Sequence, residues 1–356
     1  MQPSRSDKTE SGRFFEEFHH GDIIHHATPR TLGEADATLA TALYGSRFAV
    51  TSSQAFARAI GYAQSPLDDM LVFNVVFGKT VPDISLNAVA NLGYAACRFL
   101  GPVYAGETLH ARSEIIGLKE NSNRETGVVY VRSQGFKEDG TPVLDYVRWV
   151  MVRKRDKASP APQPLIPTLP SFVRPDHFAE VLPRLAMENY DYVRAGQPYT
   201  WDDYTIGEKI DHVDGMTVEE AEHQLATRLY QNTARVHFNQ HSESQNRFAR
   251  RLVYGGHVIA IARALSFNGL ANAFCIAAIN GGRHVAPIFA GDTVFAWTRI
   301  LDKAEVPDRR DVGALRLRLI ATKNRPCADF PKRDDKDQYD PAIVLDLDYW
   351  VLMPRR

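Results

Sequence analysis

Apolar and polar positions alternate in several stretches of the chain, and two longer runs are apolar on nearly every side. The alternation predicts β-strands over residues 108–115, 128–135 and 143–152, and again over 293–300, 313–322 and 343–353. The unbroken runs at 70–78 and 258–266 predict helices buried all round. Asp139-Gly140-Thr141-Pro142 supplies a turn between two of the strands. Several strands after one buried helix, twice over, predict antiparallel sheets each wrapped on a central helix, an α+β arrangement rather than alternating βαβ units.

The pattern is a repeat. Gly21 and Gly207, Thr31 and Thr217, Glu34 and Glu220, Leu39 and Leu225, Thr41 and Thr227, and Tyr44 and Tyr230 all match at an offset of 186 residues. Phe56-Ala57-Arg58 then matches Phe248-Ala249-Arg250 at a longer offset, so the second copy carries an insertion around His237 to Asn246. Two homologous domains are expected at residues 12–156 and 190–356, after a disordered start at 1–11. A proline-rich extended linker is expected over 157–189, where Pro160, Pro162 and Pro164 disfavour helix. The mixed-charge segment from Lys323 to Pro341 reads as a solvated hairpin extension.

Composition narrows the function. A hydrophobic fraction of 44% with 24% charged residues is that of an ordinary globular protein, and a net charge of -1 leaves no footprint for nucleic acid or a membrane surface. The expected partners are small molecules. Three scattered cysteines, Cys97, Cys275 and Cys327, give neither a disulfide framework nor a thiolate zinc site, which fits a reducing cytoplasm. His19-His20 and His25-His26 read as solvated loop histidines, because neighbours on extended chain point to opposite faces, and no metal is expected. Gly281-Gly282 lacks the Gly-Lys-Ser/Thr of a phosphate loop. Asp68-Asp69 reads as support for a helix N-terminus.

The chemistry concentrates between Tyr230 and Ile261. A polar loop with His237 and His241 leads to Gly255-Gly256 at the start of an apolar helical run, where unpaired N–H groups can receive a developing oxyanion. A histidine base beside such donors is the outline of enolate chemistry. His237 reads either as acid/base or as a stabiliser of its loop, with His241 in reserve. The glycines read either as a close approach for a thioester or simply as a tight turn.

These residues resemble the MaoC-like (R)-specific enoyl-CoA hydratases, a family with a tandem (double) hotdog fold. The family's Asp-x-Asn-Pro-x-His motif falls on Asn232, Ala234, Arg235 and His237, of which the histidine alone is kept, and Tyr254-Gly255-Gly256 matches the helix entry. In the first copy the Asp and His positions fall on Ser46 and Thr51, so that half is expected to bind or support rather than catalyse. Residues 42–50, 65–69, 77–85 and 234–239 are similar to the mesaconyl-CoA hydratase (β-methylmalyl-CoA dehydratase) branch of the family. The resemblance implies reversible hydration of a dicarboxylic enoyl-CoA, with CoA as part of the substrate, no metal or redox cofactor, and a homo-oligomer, expected as a dimer. It implies His237 as acid/base, Asn232 holding the water through its amide, and a backbone donor at Ile261, where the family has glycine. A free carboxylate calls for a guanidinium, for which Arg47 and Arg235 are the candidates, with Lys79 and Arg283 for the CoA phosphates. An acyl-CoA thioesterase and a non-catalytic acyl-CoA-binding protein are the competing readings, since the fold hosts several activities.

Overall fold

The computed structural model describes residues 8, 9 and 12–356. Apart from residues 8 and 9, the N-terminal stretch expected to be disordered lies outside the described residues. The first half contains helix α1 (Glu34–Tyr44), the central helix α2 (Asp69–Thr80) and strands β1 (Ile23–His25), β2 (Ala88–Phe99), β3 (Thr108–Glu120), β4 (Thr126–Lys137) and β5 (Pro142–Arg153). The second half repeats the order with β6 (Lys209–Thr217), α3 (Glu220–Leu229), α4 (Gly255–Leu265), β7 (Cys275–His284), β8 (Thr293–Val306), β9 (Arg309–Lys323) and β10 (Ile343–Pro354). Among the described residues, one 11-stranded antiparallel sheet runs β1-β3-β4-β5-β2-β7-β10-β9-β8-β6, and the two-residue strand Arg30–Thr31 pairs with β3 at one end.

That order reads the same from either end. The halves join where β2 meets β7, Tyr94 opposite Gly282 and Cys97 opposite Ile279. Side chains alternate across a strand, so one face of this sheet closes over α2 and α4, and a single hydrophobic core runs through both halves. Asp68 starts α2 by accepting from the Met70 N–H at 2.8 Å and the Leu71 N–H at 3.4 Å. Every residue from Met70 to Thr80 is buried, as a helix apolar all round requires. The start of α2 at Asp69 and of α4 at Gly255 return to the spacing of Tyr44 and Tyr230, so the insertion in the second overhang is compensated before its helix begins.

Several expectations change. The proline-rich segment is strapped to the protein: Leu165 exchanges hydrogen bonds with Leu118, the Val173 N–H donates to Asn280 Oδ1 at 2.7 Å, and Phe178 is buried against Trp350. The segment after Lys323 is a solvated hairpin only at its tip, where residues 334–338 are exposed between the antiparallel pair Arg333 and Tyr339. It buries Cys327 and sets Phe330 against Trp297, whose indole donates to the Pro331 carbonyl at 2.9 Å, because the outer face of β8 carries an indole that needs both cover and an acceptor. His26 is not solvated either; it is buried between Asp83 at 2.6 Å and Ser113 at 2.7 Å.

Candidate active site

The second overhang is built by helix termination. The Asn232 N–H closes the end of α3 on the Thr227 carbonyl, and the Asn232 side-chain oxygen accepts from the Ala234 N–H at 3.0 Å. This turn feeds the one-turn helix Arg235–Phe238, which carries His237. The overhang lies tight on the first half: a Cβ at Gly78 of α2 would stand 1.8 Å from the Tyr230 carbonyl oxygen, so glycine is what lets the two backbones meet.

His237 is fixed at one nitrogen and free at the other. Its Nδ1 lies 3.1 Å from the Leu252 carbonyl, which can only accept, so Nδ1 carries the proton and Nε2 the lone pair. Among the described residues no partner meets Nε2. The ring stands edge-on to Tyr254 at 5.4 Å, and Tyr254 is the residue from which α4 starts. Burial pushes the His237 pKa down to about 4, with the Leu252 carbonyl opposing and His223 reinforcing the shift. The imidazole is therefore neutral at neutral pH.

Helix α4 starts without a side-chain cap, which leaves the Gly255 and Gly256 N–H groups without intrahelical acceptors. Both glycines are forced by close approach. A Cβ on Gly255 would meet the His284 ring at 2.4 Å, and one on Gly256 would meet Asn74 Oδ1 of α2 at 1.9 Å. Ile261 is buried in the interior of α4, where its N–H belongs to the helix ladder. It cannot be the oxyanion donor expected there; the free donors stand at Gly255 and Gly256.

The opposite wall comes from the seam. His284, at the end of β7, covers Gly255 and reaches the Tyr94 hydroxyl on β2 with its Nε2 at 3.3 Å. Burial, with His237 second, lowers the His284 pKa to about 4. Two neutral imidazoles therefore flank one uncapped helix start. The sequence reading missed His284 and Tyr94. The nearest signal was Gly281-Gly282, which lacks the residues of a phosphate loop and is strand paired with Ala95 and Tyr94.

The other predicted residues lie elsewhere. His241 is exposed on a second one-turn helix, Gln240–Glu243. Asn232 is buried with its oxygen committed to the turn, which leaves its NH2 alone for a water. Arg47 is exposed and stacked 4.4 Å over Phe267, on the first half's overhang. Lys79 is no surface cation: it is buried, donates to the Thr28 carbonyl, and has its pKa lowered to about 8 by burial and then Arg30. Arg235 and Arg283 are exposed; Arg235 lies two residues before His237, and Arg283 directly precedes His284. The first half keeps a cleft with about 460 Å³ of open space, lined by Ser46, Thr51, Asp68 and Arg263 among others. Asp69 beside it is held by the Ile276 N–H at 2.7 Å, and burial raises its pKa to about 7. Among the described residues no group of His, Cys, Asp and Glu is arranged to hold a metal ion, and no helix is long and apolar enough to cross a membrane.

Comparison with known proteins shows relatives along the whole chain. The family model for mesaconyl-CoA hydratase matches residues 2–162. The chain is 60% identical over 351 residues to a β-methylmalyl-CoA dehydratase of Chloroflexus aurantiacus, covering 99% of both proteins. It is 56% identical to a mesaconyl-CoA hydratase of Cereibacter sphaeroides, covering 98% of this chain and 100% of that protein. Among solved structures it matches a MaoC-domain dehydratase of C. aurantiacus with a TM-score of 0.95 at 59% identity, covering 99% of this chain and 100% of the other. A Mycobacterium tuberculosis protein with a double hotdog fold matches at a TM-score of 0.74 and 23% identity, over 96% and 98% of the two chains, a likeness of fold alone.

Proposed function

Because this chain belongs to the mesaconyl-CoA hydratase family, we propose that it is a hydro-lyase interconverting mesaconyl-CoA and β-methylmalyl-CoA, with His237 as acid/base and the start of α4 as oxyanion site. One observation carries the mechanistic part: His237 is tied through Nδ1 to the Leu252 carbonyl, which leaves a neutral Nε2 free beside the uncapped Gly255-Gly256 helix start. In the hydration direction Nε2 takes a proton from water as the oxygen attacks C3. Negative charge moves to the thioester oxygen, where the two glycine N–H groups receive it. A proton returned to C2 completes the addition, and the His284–Tyr94 pair is the carrier we assign to it. In dehydration each step reverses.

The reaction is redox-neutral, so this reading invokes no metal or redox cofactor, and CoA enters as part of the substrate. Arg235 and Arg283, both exposed and close to the two histidines in sequence, are our candidates for the CoA phosphates. Arg47, on the other overhang, is not. A homodimer in the cytoplasm belongs to the same reading, and light scattering of the purified protein tests the dimer.

Turnover of mesaconyl-CoA in heavy-oxygen water, read by mass spectrometry, tests the function. Labelled β-methylmalyl-CoA supports it. Free CoA would make the protein a thioesterase, and binding without turnover would make it an acyl-CoA-binding protein.

A further inference from the structure

Arg148 of β5 is fully buried, yet no carboxylate among the described residues pairs with it. Its guanidinium lies 4.2 Å over the Phe77 ring and donates only to hydroxyls, Thr80 Oγ1 at 2.8 Å and Ser85 Oγ at 3.3 Å. Its Nε has no acceptor among the described residues. Other arginines on the sheet are matched: Arg132 and Arg98 share Asp145, Arg316 holds Asp348, and Arg318 holds Asp346. A buried, unpaired cation is costly unless an anion arrives.

Its neighbours are also unsatisfied. The Tyr146 and Tyr254 hydroxyls are buried without a well-formed hydrogen bond, although Thr80 and Ser133 lie near Tyr146. Both tyrosines, with Tyr94, are close enough to Arg148 to interact with it electrostatically. Phe77 is the shared floor, its ring 5.8 Å from that of Tyr254 and 6.3 Å from that of Tyr146. The cluster borders the active site on two sides. Tyr254 touches the His237 ring, and Tyr94, directly opposite Arg148 on the β2–β5 ladder, reaches His284.

We propose that Arg148, with the Tyr146 and Tyr254 hydroxyls, forms the subsite for the free carboxylate of the substrate. The inference rests on the hydratase reading and extends it to substrate choice. The Nε–H, which lacks an acceptor among the described residues, can donate to one carboxylate oxygen with the guanidinium charge behind it, and each tyrosine hydroxyl can donate to a remaining lone pair. In mesaconyl-CoA the carboxylate is attached to C3, the carbon that water attacks. Anchoring it sets C3 relative to His237, so Arg148 serves both recognition and alignment. The two arginines proposed from sequence, Arg47 and Arg235, are exposed and lack this enclosure.

The test compares mesaconyl-CoA with 2-methylcrotonyl-CoA, in which a methyl group replaces the carboxylate. In Arg148→Gln the ratio of kcat/KM values, mesaconyl over 2-methylcrotonyl, is expected to fall at least about 30-fold, the loss of a charge-assisted pair. Tyr146→Phe should lower it by about 3- to 10-fold. A ratio unchanged within about twofold in both variants overturns the proposal, because a purely structural role would depress both substrates alike. If Arg148→Gln shows no cooperative melt, Tyr146→Phe and Tyr254→Phe decide by the same ratio. If the unmodified protein turns over neither thioester, the hydratase reading falls, and calorimetric binding then decides the subsite. Tighter binding of mesaconyl-CoA than of 2-methylcrotonyl-CoA, lost in Tyr146→Phe, upholds it; equal binding of the two removes it.

Discussion

The hydroxyls of Tyr44 and Tyr230, residues at equivalent places in the two halves, are hydrogen-bonded to each other in the core. The repeat thus meets itself at one polar contact. Tyr44 also lies 3.1 Å from Nδ1 of His257 on α4, so this contact ties both halves to that helix.

Removing the Tyr44 hydroxyl takes a partner from two buried groups, Tyr230 and His257, whereas removing that of Tyr230 leaves Tyr44 still paired with His257. Tyr44→Phe is expected to cost about 2 to 3 kcal/mol and Tyr230→Phe about 1 kcal/mol, with the double variant well short of additive. Urea unfolding of the four proteins measures this, and strict additivity would mean the hydroxyls are not coupled.

The three histidines of the site region should separate in activity. His237→Ala is expected to lower kcat/KM for mesaconyl-CoA at least about 100-fold, and His284→Ala by about 10- to 100-fold. Exposed His241, replaced by alanine, should stay within about twofold. A collapse with His241→Ala would move the base onto the second one-turn helix.

The rate should also carry the environment of its base. With the His237 pKa lowered to about 4, kcat/KM is expected to stay level from pH 7 down through 6.5, the ordinary histidine value, and to fall only near pH 4. Short assays after a pH jump keep unfolding out of the profile. An acid limb centred at 6.5 would exclude a base in so dry a setting.

Stability should follow the same physics at a different residue. His212 is buried, with Nδ1 at 2.7 Å from the Asn268 carbonyl and Nε2 at 2.8 Å from Thr298 Oγ1, and burial lowers its pKa from 6.5 to about 4. Between those values the unfolded chain binds the proton and the folded one does not. Stability therefore rises with pH through that window, and it is lost as pH falls from 6.5 towards 4. The single group accounts for a loss on the order of 3 kcal/mol. His212→Gln should flatten the slope of melting temperature against pH in that window; an unchanged slope would assign it to other groups.

Two glycines should differ because their obstacles differ. A methyl group at Gly78 meets the Tyr230 backbone, while one at Gly256 meets mainly the Asn74 and Tyr254 side chains, which can turn aside. Gly78→Ala is expected to be the more destabilising, by about 3 kcal/mol or more, and Asn74→Ala should partly rescue Gly256→Ala alone. Thermal melts of the four variants check both orders.

Much of this protein was determined by sequence alone. Alternation marked six strands because one of their faces is buried and the other wet, and matched residues such as Tyr44 and Tyr230 marked the repeat. The glycines before the apolar run marked where α4 begins. The two strands of the seam stayed hidden: β2 carries register shifts and a positive φ at Ala96, and β7 breaks its alternation at Gly281-Gly282. With them went the partners they deliver, Tyr94 and His284. Arg148 was hidden for another reason. It lies inside a strand that was correctly predicted, but a guanidinium reveals itself as unpaired only when every neighbour is in place, and its neighbours come from α2, the seam and the start of α4. Local periodicity fixes which face a residue occupies. Only the closing of two halves on one another decides which polar groups meet there, and which are left facing a substrate.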